Sequence, residues 1–294
     1  MKLAVFDDFR IGVVDGDSVY DVTGAIPDAL NELPAQRMNW LIANWEAAKP
    51  RVQSLQLDAR PLALKQVKLL APNPAPPHVF AAPANYRKHV GELGARSVSK
   101  GRTAREQGFF LKAPGSVVGA GGVISLPRGS SRRFDHESEL AVVIGRPAWR
   151  VPRSEAMQHV FGYSCLIDAT MRIEPGVSEE ERSMRKSFAG FTPIGPWLVT
   201  ADEVADPQNL QNRLWVNGEL KQDANTKDMI VGIAELIELI SSVLPLQPGD
   251  VIATGTPEGV GPFAPGDTVR IAIECVGDMS LPVRENEVRA PRAY

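Results

Sequence analysis

The stretch FDHESELAVVIG, residues 134–145, sets Asp135, Glu137 and Glu139 at alternate positions directly before an apolar run. Side chains in a strand alternate faces, so the three acids share one face and His136 and Ser138 the other. Residues two apart in a strand are separated by roughly 6.5–7 Å. Flexible carboxylates at that spacing can converge on one cation, but unpaired they repel. Two readings stand: the solvated face of an edge strand, or a metal site. The continuation LAVVIG is apolar on both faces, which places the strand inside a sheet, where ionised carboxylates want a counter-charge that a hard divalent metal supplies. A further acid, Asp168, ends the apolar stretch GYSCLIDAT (162–170). An acid there is a cap or turn former, or a ligand. If it converges with Glu137 and Glu139, the site is all oxygen and prefers Mg²⁺, with Mn²⁺ or Ca²⁺ as alternatives. No cluster of Cys and His points to zinc.

The elements that must carry these residues are mostly strands. GVISLP, SELAVVIG, GYSCLIDAT, PWLVT, RLWVNGE, DVIATGT and DTVRIAIECV are each bounded by Gly, Pro or Asp. Pro-Gly-Asp turns at 248–250 and 265–267 punctuate the last of them. One amphipathic helix is expected over 228–243, with Met229, Ile230, Ile233, Leu236, Ile237 and Ile240 on one face. Near the N-terminus LAVF reads as a strand, and GVVDGDSVYDV as a hairpin turning at Asp15-Gly16. Residues 36–48 have helical spacing that Pro50 is expected to end. The Pro-rich stretch 71–80 sustains neither helix nor central strand, so the domain boundary falls there: a small α+β domain over 1–72 and a larger, mainly β domain over 73–294. Strands without regular strand–helix alternation argue against a Rossmann fold or a (β/α)8 barrel.

Bulk composition excludes several classes of function. Lys plus Arg (32) nearly balances Asp plus Glu (35), giving a net charge of -3 and no basic footprint for nucleic acid or an anionic membrane. The short apolar run at the start is cut by Asp7 and Asp8, and no run approaches the roughly 18 apolar residues of a membrane helix. Two cysteines, Cys165 and Cys275, do not form a disulfide framework. A soluble cytoplasmic protein is expected.

Taken together, ESELAVVIG, GYSCLIDATMR, RKSFAGFTPIGPWLVT, VNGELKQDANT and PGDVIATGTPEGVG, with ANYRKHVGE at 84–92, resemble the fumarylacetoacetate hydrolase family. The resemblance covers about 75–294 in the same order. It implies a mixed β-sandwich roll, mainly β with some α, usually found as a homodimer, and an enzyme acting on small oxo acids of the kind met in aromatic catabolism. Glu137, Glu139 and Asp168 match the metal-binding carboxylates, and Asp135 is left as a neighbour. His89 and Glu92 match the catalytic pair; at i, i+3 on one helical turn the carboxylate can orient the imidazole. Lys186 matches a lysine that supplies positive charge to an oxyanion. Arg172 matches an arginine near the substrate carboxylate, and Thr256, Tyr86 and Lys112 are assigned to substrate binding, with Ser116 beside them. Arg182 and Arg185 are as compatible with an exposed basic surface. Residues 93–108, small and basic, read as part of a lid spanning about 85–108.

The implied reaction is metal-dependent hydrolysis of a C–C bond in an acylpyruvate-type 2,4-dioxo acid, giving pyruvate and a carboxylic acid. Decarboxylation of oxaloacetate and isomerisation of a 2-hydroxy-dienoate use the same metal-enolate chemistry, and a non-catalytic ligand-binding protein is the alternative outside enzymes. The family's frequent KSFDTF is KSFAGF here, with Ala189 and Gly190 replacing an acid and a hydroxyl.

Overall fold

The computed structural model describes residues 1–93, 101–173 and 181–288. Four strands come first: β1 (Lys2–Phe6), β2 (Arg10–Asp15), β3 (Ser18–Asp21) and β4 (Pro61–Ala63). The expected hairpin joins β2 to β3, with Gly16 at φ +53° in its turn. Next come β5 (Val79–Ala81), β6 (Phe110–Lys112), β7 (Val117–Val118), β8 (Ile124–Leu126), β9 (Phe134–His136), β10 (Ser138–Ile144), β11 (Val160–Ile167), β12 (Thr170–Met171) and β13 (Thr192–Thr200). The last six are β14 (Gln211–Val216), β15 (Glu219–Asn225), β16 (Val251–Ala253), β17 (Gly261–Pro262), β18 (Thr268–Ile273) and β19 (Gly277–Glu285). Helices are α1 (Arg37–Ala43), α2 (Trp45–Asp58), α3 (Arg87–Leu93), α4 (Ala104–Gln107), α5 (Arg153–Ala156), α6 (Arg182–Arg185) and α7 (Ile233–Val243).

The largest sheet runs β4-β3-β2-β1-β13-β11-β10-β16-β5-β6, with β7 beside β13. A five-stranded sheet, β15-β14-β18-β19-β8, and a small one, β12-β9-β17, complete the mainly β, mixed β-sandwich roll. Alternation along β10 explains why LAVVI is apolar throughout. Leu140, Val142 and Ile144 join the core shared with the five-stranded sheet, whereas Ala141 and Val143 join the core under α1 and α2. Because both faces are covered, no polar side is left on this strand. The N-terminal strands extend the same large sheet, since Leu3 of β1 pairs with Leu198 of β13.

Two elements depart from expectation. Pro50 does not end its helix: α1 stops at Asn44, and α2 carries Pro50 in its interior. A proline forfeits one helical hydrogen bond, and the burial of Ala48 and Val52 beneath the sheet holds α2 through the defect. The helix expected from 228 starts only at Ile233. Asn85 is the reason. Its backbone carbonyl accepts from Ile230 N at 2.8 Å, and its buried side chain accepts from Val231 N (2.8 Å) and donates to Val231 O (2.9 Å), drawing 229–231 out of the helix. The two cysteines are free, and no helix among the described residues is long and apolar enough to cross a membrane. Of the stretch read as a lid, residues 94–100 lie outside the described residues. The part that follows contains α4, with a capping box between Thr103 and Glu106 and an Arg105–Glu235 ion pair at 2.7 Å.

Candidate active site

Glu137 sits in the break between β9 and β10, and Glu139 one residue into β10. Asp168 follows the last residue of β11, whose register sets Ser138 opposite Ile167. A backbone bond from Asp168 N to Glu137 O (2.8 Å) then places the fourth acid directly beside the second. One carboxylate oxygen from each of Glu137, Glu139 and Asp168 lies within 4.8 Å of the others, and all three residues are buried.

Buried acids need positive partners, and these come from three further segments. Lys186, just after α6, donates to Glu137 Oε2 at 2.7 Å and also to Asp168. Lys112, at the end of β6, donates to the other oxygen of Asp168 and to Phe191 O (3.1 Å). Arg172 is bound to Asp135 Oδ2 (2.6 Å) and Glu137 Oε1 (2.8 Å), and Arg133 to Asp135 Oδ1 (2.7 Å). Burial pushes the Glu137 carboxyl up, but Lys186 and Arg172 outweigh it and hold it below the ordinary range. Glu139 differs. Its partner is a backbone donor, Gly255 N at 2.7 Å, and burial together with the charges of Asp168 and Glu137 raises its carboxyl well above the ordinary range. Three oxygen-only side chains, one lacking a cationic partner among the described residues, fit a hard divalent ion.

On α3, the i, i+3 spacing brings His89 Nδ1 to 3.3 Å from Glu92 Oε2. With a carboxylate at Nδ1 that nitrogen carries the hydrogen, and Nε2 keeps its lone pair. Glu92 also accepts from Gly259 N at 3.2 Å, tying α3 to the glycine-rich turn. Gly255 of that turn has φ +96°, and a Cβ there would meet the Asn85 Cβ at 2.6 Å, so the close approach that brings its N–H to Glu139 requires glycine. A cavity of about 450 Å³ is lined by His89, Glu92, Glu137, Glu139, Asp168, Arg172, Lys186 and Thr256, together with Phe110, Arg133, Arg182 and Arg185. A larger hollow, about 860 Å³, lies over Trp197, Trp215 and Arg270; its lining acids are engaged elsewhere, Glu274 by Gln211 N and Asp278 by Arg270.

The cavity thus gathers eight of the ten residues singled out from sequence. Tyr86 and Lys112 are the exceptions. Tyr86 is fully buried in the core with Phe80 and Phe134, and Lys112 stands behind Asp168 rather than on the cavity wall. Ser116 bonds Thr192 and Ala113 O instead of lining the cavity.

Residues 78–284 match the family described as fumarylacetoacetate (FAA) hydrolase, C-terminal. The chain belongs to the fumarylacetoacetate hydrolase family. It is 45% identical over 291 residues to maleylpyruvate hydrolase of Aquipseudomonas alcaligenes, covering 97% of this chain and 99% of that one. Among solved structures it is similar to maleylpyruvate hydrolase from Sphingobium sp. SYK-6 in complex with manganese(II) and pyruvate. There the TM-score is 0.86 at 39% identity, covering 98% of this chain and all of that one. It is also similar to 2-hydroxyhepta-2,4-diene-1,7-dioate isomerase from Mycobacterium marinum, with TM-score 0.72, 29% identity and the same coverage.

Within this fumarylacetoacetate hydrolase chain, two positions carry more than the sequence disclosed. Gln222 of β15 is fully buried; its Nε2 donates to Thr256 Oγ1 and Pro257 O, both at 2.9 Å, and its Oε1 accepts from Ser138 N at 2.9 Å. It therefore locks the glycine-rich turn to the acid-bearing strand, and its bond to Thr256 leaves that hydroxyl's hydrogen free to donate elsewhere. A long amide on the inward-facing register of a hairpin strand was the available signal. Asp135 is the second: buried between Arg133 and Arg172, it anchors the arginine that also grips Glu137.

Proposed function

We infer that this chain is a metal-dependent hydrolase that cleaves the C–C bond of an acylpyruvate-type 2,4-dioxo acid. The observation that carries this reading is the single cavity holding both the His89–Glu92 pair and the Glu137, Glu139 and Asp168 cluster. Maleylpyruvate, named for two of the similar proteins, is the first substrate to test.

Hydrolysis needs water added at the distal carbonyl carbon, rupture of the bond between C3 and C4, and a resting place for the electron pair left on C3. His89 Nε2 takes the proton from water, with Glu92 holding the ring and balancing the imidazolium that forms. Glu137, Glu139 and Asp168 would hold a divalent ion, which would supply Lewis acidity for the enolate of the departing pyruvate. Lys186, a fixed cation beside that cluster, stabilises the oxyanion that precedes bond cleavage. Arg172 brings positive charge toward the pyruvate carboxylate, and the Thr256 hydroxyl donates to substrate. Reprotonation at C3 releases pyruvate and the carboxylic acid.

Mg²⁺ is the resident metal in this reading, with Mn²⁺ or Ca²⁺ as alternatives, supported by the oxygen-only donors. The family resemblance supports a homodimer, and the two free cysteines support a cytoplasmic setting. A small N-terminal domain over 1–72 beside a catalytic part over 73–294 is supported by a family match that begins at residue 78. Likeness to the Mycobacterium marinum isomerase favours a second reading, isomerisation of a 2-hydroxy-dienoate. One experiment separates them: metal-loaded protein is incubated with acylpyruvates, oxaloacetate and dienoates, and products are read by mass. Pyruvate with its partner acid, lost on chelation, is expected. Released CO₂ or a product of unchanged mass overturns the hydrolase reading.

A further inference from the structure

Arg182 lies on the cavity wall in an electrostatic situation that Arg133, Arg172 and Lys186 do not share. Arg172 and Lys186 are committed to Asp135, Glu137 and Asp168, and Arg133 to Asp135. Among the described residues no carboxylate lies within ion-pair distance of Arg182. Its Nη2 donates to Gln107 Oε1 at 3.2 Å, which engages one of five guanidinium N–H donors, and its planar group sits 5.3 Å from the centre of the Phe110 ring. Burial pulls its pKa down, and the more distant charges of Glu137 and Asp168 recover only part of the loss. A half-buried guanidinium with its fork open toward a cavity is matched in shape and charge to a carboxylate.

Position decides which carboxylate. Lys186 Nζ lies 5.4 Å from the same Phe110 ring while bonded to the acid cluster. Two cations thus share one ring, one committed to the acid cluster and one outside it. Arg172 is assigned to the pyruvate carboxylate, so the cation outside the acid cluster is left for a charge at the acyl end of a substrate in the same cavity.

We propose that Arg182 binds a second carboxylate at the acyl end of the substrate, making the enzyme selective for 2,4-dioxo diacids over acylpyruvates with an apolar end. This rests on the hydrolase reading above. Gln107 orients the guanidinium, and the Phe110 face supports it.

The test compares kcat/KM for maleylpyruvate, whose acyl end is a carboxylate, with that for acetylpyruvate, whose acyl end is a methyl group, in the wild type, Arg182→Gln and Arg182→Lys. The wild type is expected to prefer the diacid. Arg182→Gln is expected to lower that preference roughly 10–150-fold, mainly through KM, the size of a hydrogen-bonded charge pair, and Arg182→Lys to keep part of it. In parallel, the inhibition constant of maleate rises in Arg182→Gln while that of acetate does not. A preference ratio unchanged in Arg182→Gln overturns the assignment even if both rates fall, as does a wild type that hydrolyses both substrates equally. A wild type that releases pyruvate from no acylpyruvate overturns the hydrolase reading itself.

Discussion

Lys186 Nζ lies 2.7 Å from Glu137 Oε2, and the same ammonium reaches Asp168, so one cation bridges acids carried by different strands. Glu139, the third acid of the cluster, has among the described residues only the Gly255 N–H as a hydrogen-bond partner. This asymmetry governs how the site responds to pH and to metal.

Glu139 holds its proton in the folded protein at pH values where the unfolded chain has released it. Stability of metal-free protein therefore falls as pH rises from about 4.5 through the raised folded value. Glu137 has the opposite sign: held below 4.5 when folded, it contributes above that value and its contribution is lost as pH falls. Calorimetric unfolding in chelator across pH is expected to show the Glu139 loss, and Glu139→Gln to flatten it. Saturating wild type with Mg²⁺ at neutral pH is expected to restore about 2.7 kcal/mol at 100 times Kd; no shift in Tm with any divalent ion would contradict the metal assignment.

His89→Ala is expected to depress turnover ~10²–10⁴-fold, the usual contribution of a general base. The His89 contact is with Glu92 and not with the acid cluster, so metal content, measured by elemental analysis, stays at the wild-type level. Loss of metal together with activity would place His89 among the ligands.

Lys112 is fully buried and bonds both Asp168 and Phe191 O. Lys112→Met keeps the stem and deletes the charge, leaving Asp168 with Lys186 alone. Removing one partner of a buried pair costs about 3–5 kcal/mol, and the surviving lysine puts the expected loss near 3. A denaturant titration measures it. An unchanged midpoint would show Lys112 to be structurally dispensable.

Gly190 has φ +82°, and a Cβ there would stand 2.8 Å from Val123 O. Restoring the family's threonine by Gly190→Thr is therefore expected to destabilise the protein by about 1–3 kcal/mol. Thermal unfolding checks this, and a stable, more active variant would show that the turn adapts to the hydroxyl.

The parts of this protein readable in its sequence are those governed by local periodicity. Alternation placed Asp135, Glu137 and Glu139 on one face, helical spacing joined His89 to Glu92, and β-branched runs between turn formers marked the strands. Local rules failed where a distant partner intervened. The face of residues 228–232 suits a helix, yet Asn85, some 145 positions away in the chain, takes their backbone hydrogen bonds. Pro50 is a helix breaker whose helix survives because a sheet covers Ala48 and Val52.

Charge compensation was the least legible layer. A strand's sequence shows which face an acid occupies, but not which cation meets it. That choice depends on the register between β10 and β11 and on where β6 and the end of α6 come to rest. Hence Lys112, assigned to substrate, stands behind Asp168; Arg172 is held by Asp135; Gln222, not singled out at all, latches the Thr256 turn. The residue types and their spacing determined what chemistry was available to this chain. Tertiary packing alone decided which charges cancel and which remain open to a ligand, because electrostatic energy depends on separation in space and on exclusion of water, and neither is a local property of sequence.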